Sequence, residues 1–164
     1  MPVKRRRKSS GKIRCPFARE ELILHFWQVI PSTLPAVEQV IHRILKITRT
    51  MGCAKGELRK VESALREALI NAVVHGSRGD PEKQIWVCCL CTEDKGMLLV
   101  VRDFGPGFDT SIVPDPTKAQ NIYAGHGRGI FLMRELMDEV KFQKGGRQVV
   151  MKKTARQKSR RRST

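Results

Sequence analysis

Aromatic residues are scarce in this 164-residue chain, 5% of the total, and its two ends hold no acidic residue at all. Long apolar runs are missing too. The longest stretch without Asp, Glu, Lys or Arg, LILHFWQVIPSTLPAV at 22–37, contains a histidine and two prolines and falls short of the roughly 20 apolar residues that span a bilayer. No membrane segment is expected. CCLC at 88–91 has no second C-x-x-C and no nearby histidine pair to complete four ligands, which argues against structural zinc. The five cysteines, an odd number with no recognisable secretory leader ahead of them, fit a reduced, cytoplasmic setting better than a disulfide framework. Cys15, Cys53, Cys88, Cys89 and Cys91 are therefore expected as small hydrophobes.

What the chain has in excess is positive charge, +16 net, and its distribution is uneven. Residues 1–14 hold seven Lys or Arg and residues 152–162 hold seven more, leaving 18 bases against all 16 acids in between. The middle is near neutral. Lacking the apolar residues that offset ordering entropy, residues 1–20 and 155–164 are expected as disordered basic tails. They could make weak contact with nucleic acid or another polyanion, or simply aid solubility. Residues 21–154 suffice for one core and form the expected single domain.

Within it, LILHFWQVI (22–30) predicts a strand ended by Pro31 and Pro35. Val37, Val40, Ile41, Ile44 and Leu45 recur at helical spacing from Leu34 to about Thr50, and MGCAKG breaks that pattern. A second helix is expected from about Glu57 to His75, stopped at Gly76. QIWVCCLCT and MLLVVRD, joined by EDKG, predict a hairpin. Residues 104–126 show no period and are long for a loop in a small domain unless functional. GRGIFLMRELMDEV predicts a third helix, and VKFQKGGRQVVMKK a closing hairpin.

The second helix carries polar residues where a buried element should not. At 100° per residue, Leu58, Val61, Leu65, Ala68, Leu69, Ala72 and Val73 form the core stripe, while Glu67 and Asn71 fall opposite at about 0° and 40°. Val74 and Ile70 flank that pair. A polar pair ringed by apolar residues suits the floor of a ligand pocket, although an exposed helix edge would show the same polar pair. A carboxylate and an amide oxygen are hard ligands appropriate to Mg²⁺, and the carboxylate could also accept a proton. His75, beside the Gly76 stop, reads as a helix-end residue.

Two further stretches carry chemistry. MLLVVRDFGPGF ends a strand on Asp103, able to accept from an exocyclic amine such as that of adenine, with Gly105 and Gly107 allowing close approach. GHGRGIFLM sets Gly125, Gly127 and Gly129 at a helix start, where free N–H groups and the helix dipole favour a phosphate. The spacing is neither that of the dinucleotide fold nor that of a P-loop.

In this order, EALINAVVHG, DFGPGF and GHGRGIFLMRELMDEV resemble the N, first glycine and second glycine boxes of the GHKL (Bergerat-type) ATPases, and among them the bacterial anti-sigma-factor serine kinases. The resemblance covers about 22–154. It implies an α+β two-layer sandwich, a mixed, mostly antiparallel sheet packed against helices. It also implies ATP and Mg²⁺ as cofactors, with Asp103 on adenine, Gly105 and Gly107 shaping the base pocket, and residues 108–124 as a lid. Asn71 would hold the metal, and Gly125, Gly127 and Gly129 the phosphates. Glu67 would be the catalytic base for a partner's serine. Sensor histidine kinases of the superfamily generally carry asparagine at the Glu67 position, and the chain has no room for their phosphoacceptor hairpin. The partners implied are a sigma factor, which is sequestered, and an anti-anti-sigma antagonist, which is phosphorylated; a homodimer is implied as well. Where several serine kinases place an arginine before the second glycine box, this chain has Ala124, Gly125 and His126, leaving Arg128 or Lys118 to supply the charge. Two other readings compete: an anti-sigma module that binds nucleotide without kinase activity, and a nucleic-acid binder acting through the basic tails.

Overall fold

The computed structural model describes residues 18–109, 111 and 127–155. Most of the two termini, most of 108–124, Lys118 and Gly125 lie outside those residues.

Strand β1 (Leu22–Pro31) turns Leu24, Phe26 and Ile30 inward and leaves Ile23, His25 and Trp27 exposed, an alternation that follows from its hydrophobic period. Helix α1 (Leu34–Met51) starts because Thr33 accepts the Ala36 N–H at 3.4 Å and Pro35 sits in the first turn. It ends at Gly52 with φ +72°, the left-handed cap that glycine favours. Val37, Val40, Ile41, Ile44 and Thr48 are its buried stripe. Helix α2 (Leu58–Asn71) follows, then strands β2 (Gln84–Thr92) and β3 (Gly96–Arg102), helix α3 (Arg128–Leu136), and strands β4 (Glu139–Gln143) and β5 (Gln148–Lys153).

The strand order is β1-β2-β3-β5-β4, and each of these pairings is antiparallel. The mixed sheet of the sequence reading thus narrows to an antiparallel one among the described residues. Helices α1, α2 and α3 bury their stripes against the same face of the sheet. Val61, Leu65 and Leu69 of α2 join Ile85, Val87, Leu99, Val101 and Met151 in the main core, to which α1 and α3 also contribute. The expected two-layer sandwich results. Among the described residues the opposite face carries a small cluster of Leu90, Leu98 and Val100.

The cysteines depart from the sequence reading. Cys53 and Cys91 form a disulfide across 38 residues, with Cα atoms 6.1 Å apart. The reason is tertiary: the turn at Gly52 brings the chain back onto the inward face of β2, where both residues are buried. Cys89 does behave as a core hydrophobe. Burial, and then the neighbouring Cys88, push its thiol up to about 12, which keeps it protonated and unreactive.

The second helix also differs from expectation. Its α-helical part stops at Asn71, and Ala72–Gly76 continue as a π-turn in which Ser77 N–H donates to the Ala72 carbonyl at 2.8 Å. Such wider turns are frequent at functional sites.

Candidate functional site

A cavity of about 650 Å³ opens where the end of α2, the end of β3, the start of α3 and the β4–β5 turn converge. Its size falls in the range of about 300–1,000 Å³ typical of small-molecule and cofactor pockets. Because the other side of α2 is committed to the core, Glu67 and Asn71 face this cavity, together with Ile70 and Val74. The polar pair with apolar neighbours is a pocket floor, not a solvated edge.

The π-turn then delivers Gly76 against Asp103. A Cβ at Gly76 would fall 2.3 Å from Asp103 Cγ, and one at Gly105 would fall 1.9 Å from the Gly76 carbonyl oxygen. No side chain fits at either position. Asp103, 9% exposed, lines the cavity, and its Oδ1 accepts the Gly105 N–H at 2.8 Å. Burial raises its carboxyl above the ordinary carboxylate range, and the Gly105 N–H and the Arg147 guanidinium oppose that rise.

Helix α3 begins at Gly127, whose φ of +102° suits glycine and which offers no side-chain cap. Its first N–H groups have no partner inside the helix, and Gly127, Arg128 and Gly129 all line the cavity. This is the arrangement that attracts anions. A Cβ at Gly129 would lie 2.7 Å from Glu67 Oε2, so the α3 backbone touches the α2 carboxylate.

The fourth wall is the β4–β5 turn. Phe108 N–H donates to the Gly145 carbonyl at 2.9 Å. The Phe108 and Phe142 rings meet edge to face at 5.5 Å. The turn thereby clamps the loop that follows β3.

Six of the expected residues, Glu67, Asn71, Asp103, Gly107, Gly127 and Gly129, share this one cavity. Gly105 does not line it; it packs behind Asp103 on the Gly76 backbone. Gly125 lies outside the described residues. Of the two cations considered for the phosphate end, Arg128 lines the cavity and Lys118 is outside the described set. His75, read as a helix-end residue, is exposed on the π-turn and lines the cavity as well. Sequence reasoning missed Phe142, Gly146 and Arg147, because KGGR reads locally as nothing more than a hairpin turn.

This fold, with its cavity between α2, α3 and the end of β3, defines an ATPase domain of the histidine-kinase type. Residues 30–153 match the family described as the histidine kinase-like ATPase domain, and the chain belongs to that family. It is similar to the anti-sigma F factor of Bacillus cytotoxicus, 31% identical over 51% of this chain and 58% of that protein. Similarity extends to the serine-protein kinase RsbW of Bacillus licheniformis, 30% identical over 59% of this chain and 64% of the relative. The anti-sigma F factor of Oceanobacillus iheyensis is 25% identical over 74% of this chain and 82% of its own length. The chain thus spans less than two thirds of the length of the first two of these relatives.

Proposed function

We propose that this domain is an ATP-dependent protein serine/threonine kinase that works as an anti-sigma factor, sequestering a sigma factor and phosphorylating an anti-anti-sigma antagonist. One observation carries the reading: Gly129 of α3 abuts both Glu67 and Asn71 of α2, while Asp103 closes the same cavity. A phosphate-type site, a metal-type site and a base-type site are thereby contiguous. The names of the similar proteins, anti-sigma F factor and serine-protein kinase, support the choice of partners and reaction.

Asp103 would accept a hydrogen bond from the exocyclic amine of adenine, with Gly105 bracing it and Gly107 shaping the base pocket. The first N–H groups of α3, from Gly127 through Gly129, receive phosphate oxygens, and Gly125 extends that cradle. Among the described residues no group of three or more His, Cys, Asp or Glu forms a cage for a metal. That suits Mg²⁺, which takes one or two protein oxygens and completes its shell with water and phosphate. Asn71 would hold the metal, and MgATP would supply the transferable phosphoryl group. Glu67 accepts the proton of the attacking serine hydroxyl, and α3 holds that carboxylate in place. Among the described residues no helix is long and apolar enough to cross a membrane; the reading includes a cytoplasmic location, which a sigma-factor partner would require, and a homodimer. The basic tails add only weak, salt-sensitive contact with polyanions.

The test is labelled ATP with an antagonist protein. Phosphate should appear on the antagonist, and Glu67→Ala should abolish it while MgATP still raises thermal stability. At 100 times the dissociation constant that rise is about 2.7 kcal/mol. Transfer that persists in Glu67→Ala removes the catalytic assignment. If no stabilisation by MgATP occurs, the nucleotide site is lost as well. Stabilisation with no transfer by the wild type leaves the binding-only anti-sigma module.

A further inference from the structure

Residues 52–56, which join α1 to α2, are wound against their ordinary preference: Gly52, Ala54 and Gly56 have φ of +72°, +48° and +82°. Glycine adopts that region freely, but in alanine the Cβ crowds the backbone. Such a conformation persists where its surroundings impose it. On one side, the Cys53 N–H donates to the Thr48 carbonyl at 3.0 Å, and the Cys53 sulfur is bonded to Cys91 on the inward face of β2. On the other, the Glu57 N–H donates to the Ala54 carbonyl at 2.8 Å, and the buried Glu57 carboxylate lies 2.9 Å from Lys60 Nζ and 3.9 Å from Lys153 Nζ. Ala54 is therefore held between a covalent tie to the sheet and an ion-paired helix start, while Lys55 and Gly56 are exposed.

Where thiols are kept reduced, a disulfide is usually transient or redox-sensing, not a fixed strut. Cys53 and Cys91 are 3% and 0% exposed, so a small thiol reaches the bridge only when the connector lifts. The crowded backbone at Ala54 favours that motion. Cys89, two residues from Cys91 on the same face of β2, does not compete in the exchange, because burial keeps it a thiol.

We infer that the Cys53–Cys91 bridge is a reversible redox latch on the α1–α2 connector, opened by a low-molecular-weight thiol of the glutathione class and closed by the corresponding disulfide. Opening takes two small thiols. The first attacks the bridge, forms a mixed disulfide and releases one protein thiol; the second resolves the mixed disulfide and releases the other. The bridge thereby gains two electrons and two protons, and the small thiols leave as their own disulfide. With the tie broken, Ala54 can leave the left-handed region, and the connector loosens together with the first turn of α2.

The experiment equilibrates the full chain in glutathione buffers from oxidised to reduced, without denaturant, and follows amide hydrogen exchange by mass spectrometry. Wild type, Cys53→Ser/Cys91→Ser and Ala54→Gly are compared. Reduction of the wild type should add the mass of two hydrogens and speed exchange at residues 53–57 by about tenfold or more, as local opening does, with little change in β2. The double variant should exchange like reduced wild type in every buffer. Ala54→Gly, which removes the crowding, should slow the connector of the reduced protein. Equal exchange at 53–57 in oxidised and reduced wild type overturns the latch. Protection lost evenly along the chain does so as well, since it marks a cross-link of merely global effect. A bridge that glutathione opens only in denaturant, or that does not form in the oxidising buffers, is equally fatal. Should the double variant fail to fold, Ala54→Gly still decides: no slowing by glycine means an unstrained connector and removes the inference.

Discussion

Gly129 and Glu67 compete for the same space: a Cβ on the glycine would sit 2.7 Å from Oε2 of the carboxylate. The atom struck is the far end of a flexible side chain, so Glu67 can swing away. Gly129→Ala should therefore fold, with stability within about 1 kcal/mol of wild type, because alanine also favours the helix. Phosphoryl transfer should fall about 100-fold, the scale of a misplaced general base, with nucleotide affinity far less affected. Single-turnover transfer rates measured beside an ADP titration check this; an unchanged rate would detach Glu67 from the chemistry.

Gly105 presents the opposite case. A Cβ there meets the backbone oxygen of Gly76 at 1.9 Å, and backbone cannot step aside. Gly105→Ala should lower stability by about 1–3 kcal/mol, the cost of overpacking. It should also displace Asp103, so that MgATP no longer stabilises the protein. Urea midpoints with and without MgATP test both effects, and a wild-type midpoint would contradict the contact.

Asp103 gives the fold a pH dependence of unusual sign for an aspartate. Burial raises its folded-state carboxyl against the Gly105 and Arg147 contributions. A group raised on folding contributes stability below its unfolded value, and that contribution is lost as pH rises through the folded value. At neutral pH the nucleotide-free protein thus bears the cost of a buried charge. Asp103→Asn should be more stable than wild type there, and the gap should close as pH falls below the unfolded carboxylate value of about 3.9. Nucleotide stabilisation should vanish in the same variant. Denaturation curves across pH, each run with and without MgATP, measure both, and a variant less stable than wild type at neutral pH would contradict the sign.

The Cys53–Cys91 bridge closes a separation of 38 residues. Loop entropy alone assigns it about 3–4 kcal/mol. Reductant should lower the urea midpoint of the wild type and leave a Cys53→Ser/Cys91→Ser double variant unmoved. Equal midpoints for oxidised and reduced wild type would show that the bridge contributes nothing in solution.

Local periodicity made much of this molecule legible. The stripe of α1, the core face of α2 and the alternation of β1 can each be read from their own residues, and so can the oddity of Glu67 and Asn71 opposite a core stripe. What could not be read depends on pairings between distant segments. The π-turn exists where Gly76 meets Asp103, 27 positions further along the chain. Arg147 reaches the cavity only through the register of β5 on β3. The disulfide needs the return of the chain after Gly52, and cysteine counting could not pair Cys53 with Cys91. From sequence Gly105 looks like pocket lining, because close approach to a ligand and close approach to Gly76 demand the same residue type.

The chain's two tryptophans, Trp27 and Trp86, lie on β1 and β2 and are 66% and 45% exposed, on the face of the sheet opposite helices α1, α2 and α3. Their ultraviolet emission in the native protein should already resemble that of indole in water, so fluorescence is a poor gauge of unfolding here. It is instead a sensitive optical probe of anything that settles on that side of the sheet. Trp86 extends the probe's reach, since its ring meets Phe104 edge-on at 5.3 Å, one residue from the aspartate at the bottom of the cavity.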